Sequence, residues 1–434
     1  MNFLVINMEA LTLGSIVLPN IFFMFYFIQS GRTAAAALPV IFFYVMAKTI
    51  PYAIRSFGKV KNPYNILAAS ICLTLLGTIL ALYQPIIPEA ATLTGIGIGC
   101  LKPAYQQLKD EYRAQGKWPY SKDALYGIPY LLFALILGVA LTKLTLLAFL
   151  GEIILMALLG GVLTSKLKNP WPATPTFAGP LSWRPAIATL LVFSMALGAR
   201  GLKQTGSTPL IFLTLGMWLV MLVGFGRLQH RVKSSRLWTF WNGATTNFLL
   251  IYSLFYFDTL DKMLLLFAAY GLFILATVGG LLLSPRLRKT SYWWLAFPGA
   301  VLGLILSLLP TSWCYLAGLF IASLFCSTIN AFIWPFYYKR DTTIPPLNTR
   351  FVRQNFNILG AVVSQVTLIS LLIITNFLFD RHGRQILHAY YAHVPDLGLG
   401  QPLWITRLVC VTLLVIVAAI LIKRKLPQLY NKNK

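Results

Sequence analysis

The chain has 434 residues, of which 58% are hydrophobic and 11% are charged. A soluble domain needs a polar exterior around its core, so this composition, with a mean hydropathy of +0.73, excludes a soluble globular protein. The formal net charge is +25, but Lys and Arg stand in short clusters between apolar runs, not in one basic domain. We therefore expect a membrane protein and no nucleic-acid partner.

Apolar runs of about 20 residues recur along the chain, and each is long enough to cross roughly 30 Å of hydrocarbon as a helix. The runs are continuous, not alternating, which favours helices over a closed barrel. Breaks at Gly, Pro and charged residues divide the chain into fourteen predicted spans. These are 10–30, 35–55, 64–84, 88–108, 124–143, 145–165, 184–202, 208–227, 239–258, 262–284, 292–310, 313–337, 355–379 and 402–423.

The distribution of basic residues supports this division. Most Lys and Arg fall in alternate loops, from Arg55 after the second span to Lys423 at the start of the tail. The opposite loops hold few, among them Arg200, Lys203 and Arg407. Because cytoplasmic loops carry the excess of positive charge, we predict that both termini are cytoplasmic. The short loops and basic inner face lead us to expect a multi-pass protein of a bacterial plasma membrane.

No loop is long enough to form a catalytic domain; the longest outer one runs from about 380 to 401. The sequence has no glycine-rich phosphate loop with its lysine and no nucleophile–base pattern. The five cysteines fall inside apolar segments without metal-ligand spacing. We therefore expect no enzyme activity, no cofactor and no metal site.

The chain contains two similar stretches. IPYAIRSFGKVKNPYNIL after the second span and VGGLLLSPRLRKTSYWWL after the tenth are both short basic turns. The fourth and twelfth spans each carry a proline followed by aromatic residues and a basic loop. Two parallel six-helix repeats are a known transporter plan. We predict a six-helix half at 1–165, two inserted spans with basic linkers at 166–238, and a six-helix half with a basic tail at 239–434.

These features resemble the major facilitator superfamily, in particular its fourteen-span branch of drug/proton antiporters, where two extra helices separate the halves. That family's signature between the second and third spans is close to G-x-L-A-D-R-x-G-R-K. Phe57, Gly58 and Lys59 match its later part, whereas Pro51 and Arg55 stand where a glycine and an aspartate would be. The motif is therefore degenerate in the first half.

The second-half copy fits better, since Gly280, Leu282, Arg288 and Lys289 match it. The resemblance also covers the family's glycine-rich run in the fourth span, which here consists of Gly95, Gly97, Gly99 and Pro103. Small residues let helices approach closely and proline permits a bend, so these positions are expected to serve structure or gating. Ala91 replaces the arginine of proton-coupled exporters, so the resemblance implies the fold more strongly than proton/drug antiport.

Away from the ends of the predicted spans, three charged residues lie inside them: Lys48, Lys102 and Glu152. Such a charge costs about 2.5–3.5 kcal/mol at the bilayer centre on insertion scales, so each is expected to face protein or water. Glu152 is the candidate for proton or ion coupling; the alternative is a neutral or paired structural carboxylate. Lys48 and Lys102 are candidates for attracting a phosphate or carboxylate, although Lys102 alternatively reaches lipid headgroups.

In the resembled fold, the first and fourth spans of each half line the cavity. The polar side chains there are further candidates for substrate binding, and they are Asn20, Gln29, Asn242, Asn247 and Asn330. The alternative for each amide is a hydrogen bond that only joins two helices.

The sequence therefore predicts an all-α secondary transporter that works by alternating access, and it favours export as the direction of transport. Its expected partners are a small-molecule or lipid substrate, membrane lipids and a coupling proton or ion. One rival is a flippase for a lipid-linked saccharide or other anionic lipid, because embedded lysines suit a phosphate-bearing lipid. Another is a membrane protein without transport activity.

Overall fold

The computed structural model describes residues 2–118, 123–142, 145–228, 232–289, 292–340, 344–379, 387 and 396–430. Nearly all of them are helical. The first eight helices are α1 Asn2–Gly14, α2 Val17–Gln29, α3 Ala34–Ser56, α4 Pro63–Leu80, α5 Ile87–Ala114, α6 Asp123–Leu141, α7 Leu146–Lys166 and α8 Trp183–Thr205. They continue as α9 Thr208–Leu228, α10 Ser234–Thr259, α11 Met263–Arg288, α12 Ala296–Leu306, α13 Ser312–Arg340, α14 Thr349–Leu378 and α15 Gly400–Tyr430.

Each predicted span contains a helix, because in hydrocarbon the backbone must satisfy its hydrogen bonds within the segment. Among the described residues, eight helices are long and apolar enough to cross a membrane. A ninth span results if α1 and α2, which meet at an angle of 56°, are counted together. Three further apolar helices are shorter: Tyr126–Leu141, Thr208–Gly224 and Trp293–Leu306. The chain is a multi-pass helical membrane protein, and the count of fourteen spans stays a prediction.

The first span differs from its predicted form. It begins at Asn2, not at residue 10, and it breaks after Gly14. Nothing in the sequence before residue 10 stops a helix, since these residues are apolar except for two asparagines and Glu9. The earlier start places Glu9 inside α1, where it is buried.

The chain forms two compact units. The first comprises Met1–Thr205 with Ile344–Gln354, and the second comprises Gly206–Thr343 with Asn355–Lys434. In the first unit α3 and α4 both pack on α5, and α8 packs along α3. In the second unit α11 and α12 both pack on α13. Equivalent helices of the predicted repeat therefore have equivalent neighbours, while the boundaries 1–165, 166–238 and 239–434 stay a prediction.

Glycines bring α5 close to its neighbours. A Cβ atom at Gly95 would lie 2.6 Å from the carbonyl oxygen of Phe43 in α3. One at Gly97 would lie 2.6 Å from the carbonyl oxygen of Ser70 in α4. A side chain at either position would force the backbones apart, so these glycines set the spacing between helices. Gly99 faces α3 as well.

A short sheet closes one end of the first unit. Strand β1, Lys59–Val60, pairs antiparallel with β2, Phe177–Ala178, in the segment between α7 and α8. Gly58 precedes β1 with a φ of +113°, and a Cβ there would lie 2.7 Å from the carbonyl oxygen of Ala178. The left-handed backbone and the close strand both require glycine at this position.

The segment Ile344–Gln354, which includes the first turn of α14, belongs to this unit through its polar side chains. Val60 N donates to Asn348 Oδ1 at 3.0 Å, and Asn348 Nδ2 donates to Val60 O at 3.1 Å. Arg350 donates from Nε and Nη2 to the two carboxylate oxygens of Asp110, at 2.5 and 2.8 Å. Such bidentate pairs fix orientation as well as distance.

Three basic residues expected in outer loops lie elsewhere. Arg200 and Lys203 are in α8 and Arg407 is in α15, and all three side chains are buried. Arg200 and Arg407 fall within a few residues of the ends of the predicted spans 184–202 and 402–423, and α8 continues past Lys203 to Thr205. Charge counting alone does not reveal that such side chains are buried.

Candidate functional site in the first helical unit

The centre of the candidate site is Tyr44, a buried side chain on α3. Lys48 lies one turn further along α3, and its Nζ is 5.4 Å from the centroid of the Tyr44 ring. Arg200 approaches the same ring from α8, with its Cζ at 5.1 Å. Both cations benefit from the electron density of the ring face. The sequence-predicted Lys48 therefore shares its aromatic partner with an arginine that sequence analysis assigned to a loop.

Asn20 on α2 completes this group. Arg200 Nη2 donates to Asn20 Oδ1 at 2.9 Å and contacts the sulfur of Met24 at 3.6 Å. Gln204, one turn along α8, donates to the same sulfur at 3.5 Å. The structure thus brings two predicted cavity residues, Asn20 and Lys48, to one place. We call Asn20, Tyr44, Lys48 and Arg200 the basic cluster.

Lys102 on α5 adds further positive charge. It is half-buried, and the charges that act on Lys48 are those of Lys102 and Arg200. Lys102 in turn interacts with Arg350, Arg353 and, as its acidic partner, Glu9. Pro103 follows Lys102 and is buried within α5. Because several cations share this poorly hydrated interior, the region is attractive to anions.

A buried ion pair that sequence analysis missed lies between α1 and α5. Lys109 Nζ donates to a carboxylate oxygen of Glu9, and both side chains are nearly inaccessible. Lys109 also lies 6.0 Å from the ring centroid of Tyr105. Gly127 on α6 leaves room for Glu9, since a Cβ there would lie 2.6 Å from the Cβ of Glu9. The signal that was available is the run Phe3–Ile6 before Glu9, which allows a helix to begin ahead of the carboxylate and continue past it.

Glu152 lies apart from the basic cluster, on α7. Its side chain is half-buried, and its Oε2 has no hydrogen-bond partner among the residues described. The oxygen faces α6, where a Cβ at Gly138 would lie 3.0 Å from it and Tyr130 interacts with its charge. The charges that act on Lys48 and Lys102 do not include that of Glu152.

The predicted amides of the second unit mostly join helices. Asn242 Nδ2 on α10 donates to the carbonyl oxygen of Cys326 at 2.5 Å. Asn247 Nδ2 donates to the carbonyl oxygen of Ala361 at 2.8 Å and to Ser364 Oγ at 3.1 Å. These bonds match the alternative in which an amide only connects neighbouring helices.

The remaining predicted residues are placed as follows. Asn330 is half-buried on α13, and Gln29 is exposed at the end of α2. Gly280 packs against α13, where a Cβ would lie 2.7 Å from Ser327 Cβ. Arg288 Nη2 donates to the carbonyl oxygen of Ala331 at 2.9 Å, and Lys289 is exposed beside it.

The second unit also contains a buried arginine among aromatic rings. Arg407 is 1% exposed, and its Cζ lies 5.7, 5.3 and 5.5 Å from the ring centroids of Tyr252, Tyr256 and Tyr315. Its Nη2 donates to the carbonyl oxygen of Leu309 at 3.4 Å. Its Nε and Nη1 have no hydrogen-bond partner in the part of the chain that is described. We call this group the tyrosine cage.

No metal-binding group of three or more His, Cys, Asp or Glu side chains occurs within the described residues. The charged groups of the first unit are the cations of the basic cluster, the Glu9–Lys109 ion pair and, apart from them on α7, Glu152. Such groups at membrane depth bind charged solutes or carry protons.

No family model and no curated protein sequence matches this chain. Solved structures do match. An auto-inhibited POT family peptide transporter has a TM-score of 0.56 at 15% identity, covering 98% of this chain and 96% of its own. The POT family transporter PepTSo has a TM-score of 0.56 at 13% identity, with 98% of both chains covered. The fucose:proton symporter of E. coli has a TM-score of 0.51 at 14% identity, with 97% of both covered.

At these identities the likeness concerns the fold. It covers nearly the whole length of each chain. The chain is thus a polytopic helical membrane protein whose fold is similar to that of POT family peptide transporters and of the fucose:proton symporter. The more specific assignment to the fourteen-span drug/proton branch stays a prediction from the sequence motifs.

Proposed function

We propose that this protein is a secondary active transporter that moves a small solute by alternating access. The observation that carries the proposal is the basic cluster, in which a lysine, an arginine and an amide from three helices of a membrane-spanning protein lie together. Charges are costly in a membrane and are retained mainly where they bind or conduct something. The similar folds belong to peptide transporters and a fucose:proton symporter, which supports transport of a small solute.

We further propose that transport is coupled to protons through Glu152. Its Oε2 has no hydrogen-bond partner among the described side chains and faces α6, so the carboxylate can be neutral or charged without breaking an ion pair. The buried Glu9–Lys109 pair is the second candidate, because protonation of Glu9 would release Lys109. We propose export across a bacterial plasma membrane with both termini in the cytoplasm, following the motif resemblance and the basic loops.

A flippase for a lipid-linked saccharide or other anionic lipid is the second candidate function. The observation that favours it is the excess of positive charge around Lys48. A lipid phosphate is a strong hydrogen-bond acceptor and would find donors there.

The test is transport into proteoliposomes with an imposed pH gradient. The probes are a radiolabelled dipeptide, fucose, tetraphenylphosphonium and a fluorescent phospholipid, with internal pH followed by pyranine. We expect one probe to accumulate with the gradient and Glu152→Gln to abolish that accumulation while downhill exchange continues. Glu89→Gln is the matched control, since Glu89 is exposed in the first turn of α5.

If no probe moves and internal pH stays unchanged while the protein remains folded, the transport proposal is wrong. Phospholipid movement that ignores the pH gradient would support the flippase instead. Equal effects of Glu89→Gln and Glu152→Gln would remove Glu152 from the coupling role.

A further inference from the structure

We infer that the basic cluster is a binding site for the oxyanion of a substrate, with α8 as an essential part of it. This inference rests on the proposed transport function and names its substrate class: a solute or lipid that carries a phosphate group. The inserted helix α8 would then contribute to recognition and not only connect the two halves.

The first step is the charge balance around Lys48. The Lys48 and Arg200 cations lie over one tyrosine ring, and the charges acting on Lys48 are both positive. A ring face offsets only part of the desolvation cost of two cations. An anion seated among Lys48, Arg200 and Lys102 would compensate the remainder.

The second step is the hydrogen-bonding inventory. Asn20 has one acceptor, Oδ1, and Arg200 already uses it. Within the described residues the Asn20 Nδ2 and the Lys48 Nζ donate no hydrogen bond, and both side chains are only half-buried. An amide nitrogen and an ammonium group are pure donors. A ligand at this place must therefore be an acceptor, and an oxyanion with several oxygens satisfies all these donors together.

The third step is the role of Arg200. Its guanidinium is held by Asn20 on one side and by the Tyr44 ring on its face. A guanidinium fixed in this way presents its planar fork with little loss of entropy on binding. Since Asn20, Lys48 and Arg200 come from α2, α3 and α8, packing of α8 along α3 completes the site.

Two sources supply the same phosphate chemistry, a soluble phosphate ester and a phospholipid headgroup. α8, the helix that carries Arg200, exposes the apolar side chains of Ile187 and Leu190, which suits contact with lipid. The experiment separates the two sources. Glycerol 3-phosphate is titrated onto the full-length chain in detergent, and phosphatidylglycerol is compared with phosphatidylcholine in nanodiscs.

Binding is measured by calorimetry and by the shift in Tm, neither of which requires transport. We expect the phosphate-bearing probe to bind and Lys48→Met to weaken it about tenfold, the worth of one charge-assisted hydrogen bond. Lys48→Arg should keep most of the affinity, because it keeps the positive donor. Lys61→Met is the matched control, since the Lys61 side chain is exposed, and it should bind as the wild type does.

Asn20→Asp gives an independent test, because it places a carboxylate beside Arg200 and fills the site internally. We expect it to abolish anion binding without lowering Tm. Equal affinity of the wild type, Lys48→Met and Asn20→Asp would overturn the inference. It would also be overturned if glycerol bound more tightly than glycerol 3-phosphate while phosphatidylglycerol and phosphatidylcholine bound equally.

Failure of the transport proposal gives a different result. Binding of the phosphate probe without any transport would support the anion-binding site and contradict the transport proposal. Transport of fucose or a cation with the pH gradient, without binding of either phosphate probe, would support the transport proposal and contradict the anion-binding site.

Discussion

Among the described residues, Arg407 has three tyrosine rings and a backbone carbonyl oxygen as partners, and no carboxylate. The guanidinium is weakly hydrated compared with an ammonium group, so its burial costs less and its face stacks well on aromatic rings. Three tyrosines surround it, and two of them, Tyr252 and Tyr315, also anchor their hydroxyls: Tyr252 to the carbonyl oxygen of Leu403 and Tyr315 to that of Leu249. The tyrosine cage therefore ties α10, α13 and α15 together within the second unit.

A double-mutant cycle tests the cage. Arg407→Met and Tyr256→Leu remove the cation and one ring, and we expect a coupling energy of about 1–2 kcal/mol in the free energy of unfolding. Equilibrium unfolding in mixed detergent–SDS micelles measures it. Tyr83→Leu is the control, since Tyr83 is exposed in the turn after α4 and should not couple to Arg407. Additive effects of Arg407→Met and Tyr256→Leu would contradict the cage.

At the scale of elements, the Glu9–Lys109 pair joins α1 to α5, where Lys109 lies in the last turns of the helix. Buried ion pairs contribute little net stability, but removing one partner leaves a buried charge that is uncompensated. The pair is therefore expected to fix the position of the first half-span α1 more than to stabilise the fold.

Lys109→Met leaves the carboxylate of Glu9 buried without its cation, and we expect a loss of about 3–5 kcal/mol in the free energy of unfolding. The double variant Glu9→Gln with Lys109→Met removes both charges and should recover most of that loss. Thermal unfolding in detergent, monitored by circular dichroism, gives the comparison. Lys117→Met is the matched control at an exposed position and should change little. A double variant no more stable than Lys109→Met would show that the pair does not act as a unit.

At the scale of the whole molecule, the feature that matters is the repeated arrangement of helices. In each unit the second and third spans of the predicted half pack on the fourth, α3 and α4 on α5 and α11 and α12 on α13. The solved structures of two POT family transporters match along nearly the whole chain.

The predicted topology can be tested in intact cells. In a chain freed of its own cysteines, single cysteines replace the exposed residues Gln29, Lys117, Lys262 and Lys289. We expect an impermeant maleimide to label positions 29 and 262 in intact cells and positions 117 and 289 only after permeabilisation. Labelling of positions 262 and 289 from the same side would refute the predicted orientation of α11.

The candidate site was only partly predictable from the sequence. Lys48 and Asn20 stood out because a polar residue inside an apolar run is conspicuous. Arg200 and Glu9 did not, because each lies near the end of its apolar run, where a charge is ordinarily read as a boundary. Their burial depends on partners about 180 and 100 residues away in the chain.

The sequence by itself determined that this chain lies in a membrane and where its helices run. Hydrocarbon forces each apolar run to satisfy its backbone internally, which is a local condition. The tertiary structure alone decided that α8 packs along α3, that Arg200 joins Lys48 over Tyr44, and that Glu9 meets Lys109. Such pairings depend on the shape and charge of side chains in distant segments. Lipid solvates one apolar helix as well as another, so close packing between helices selects the partners.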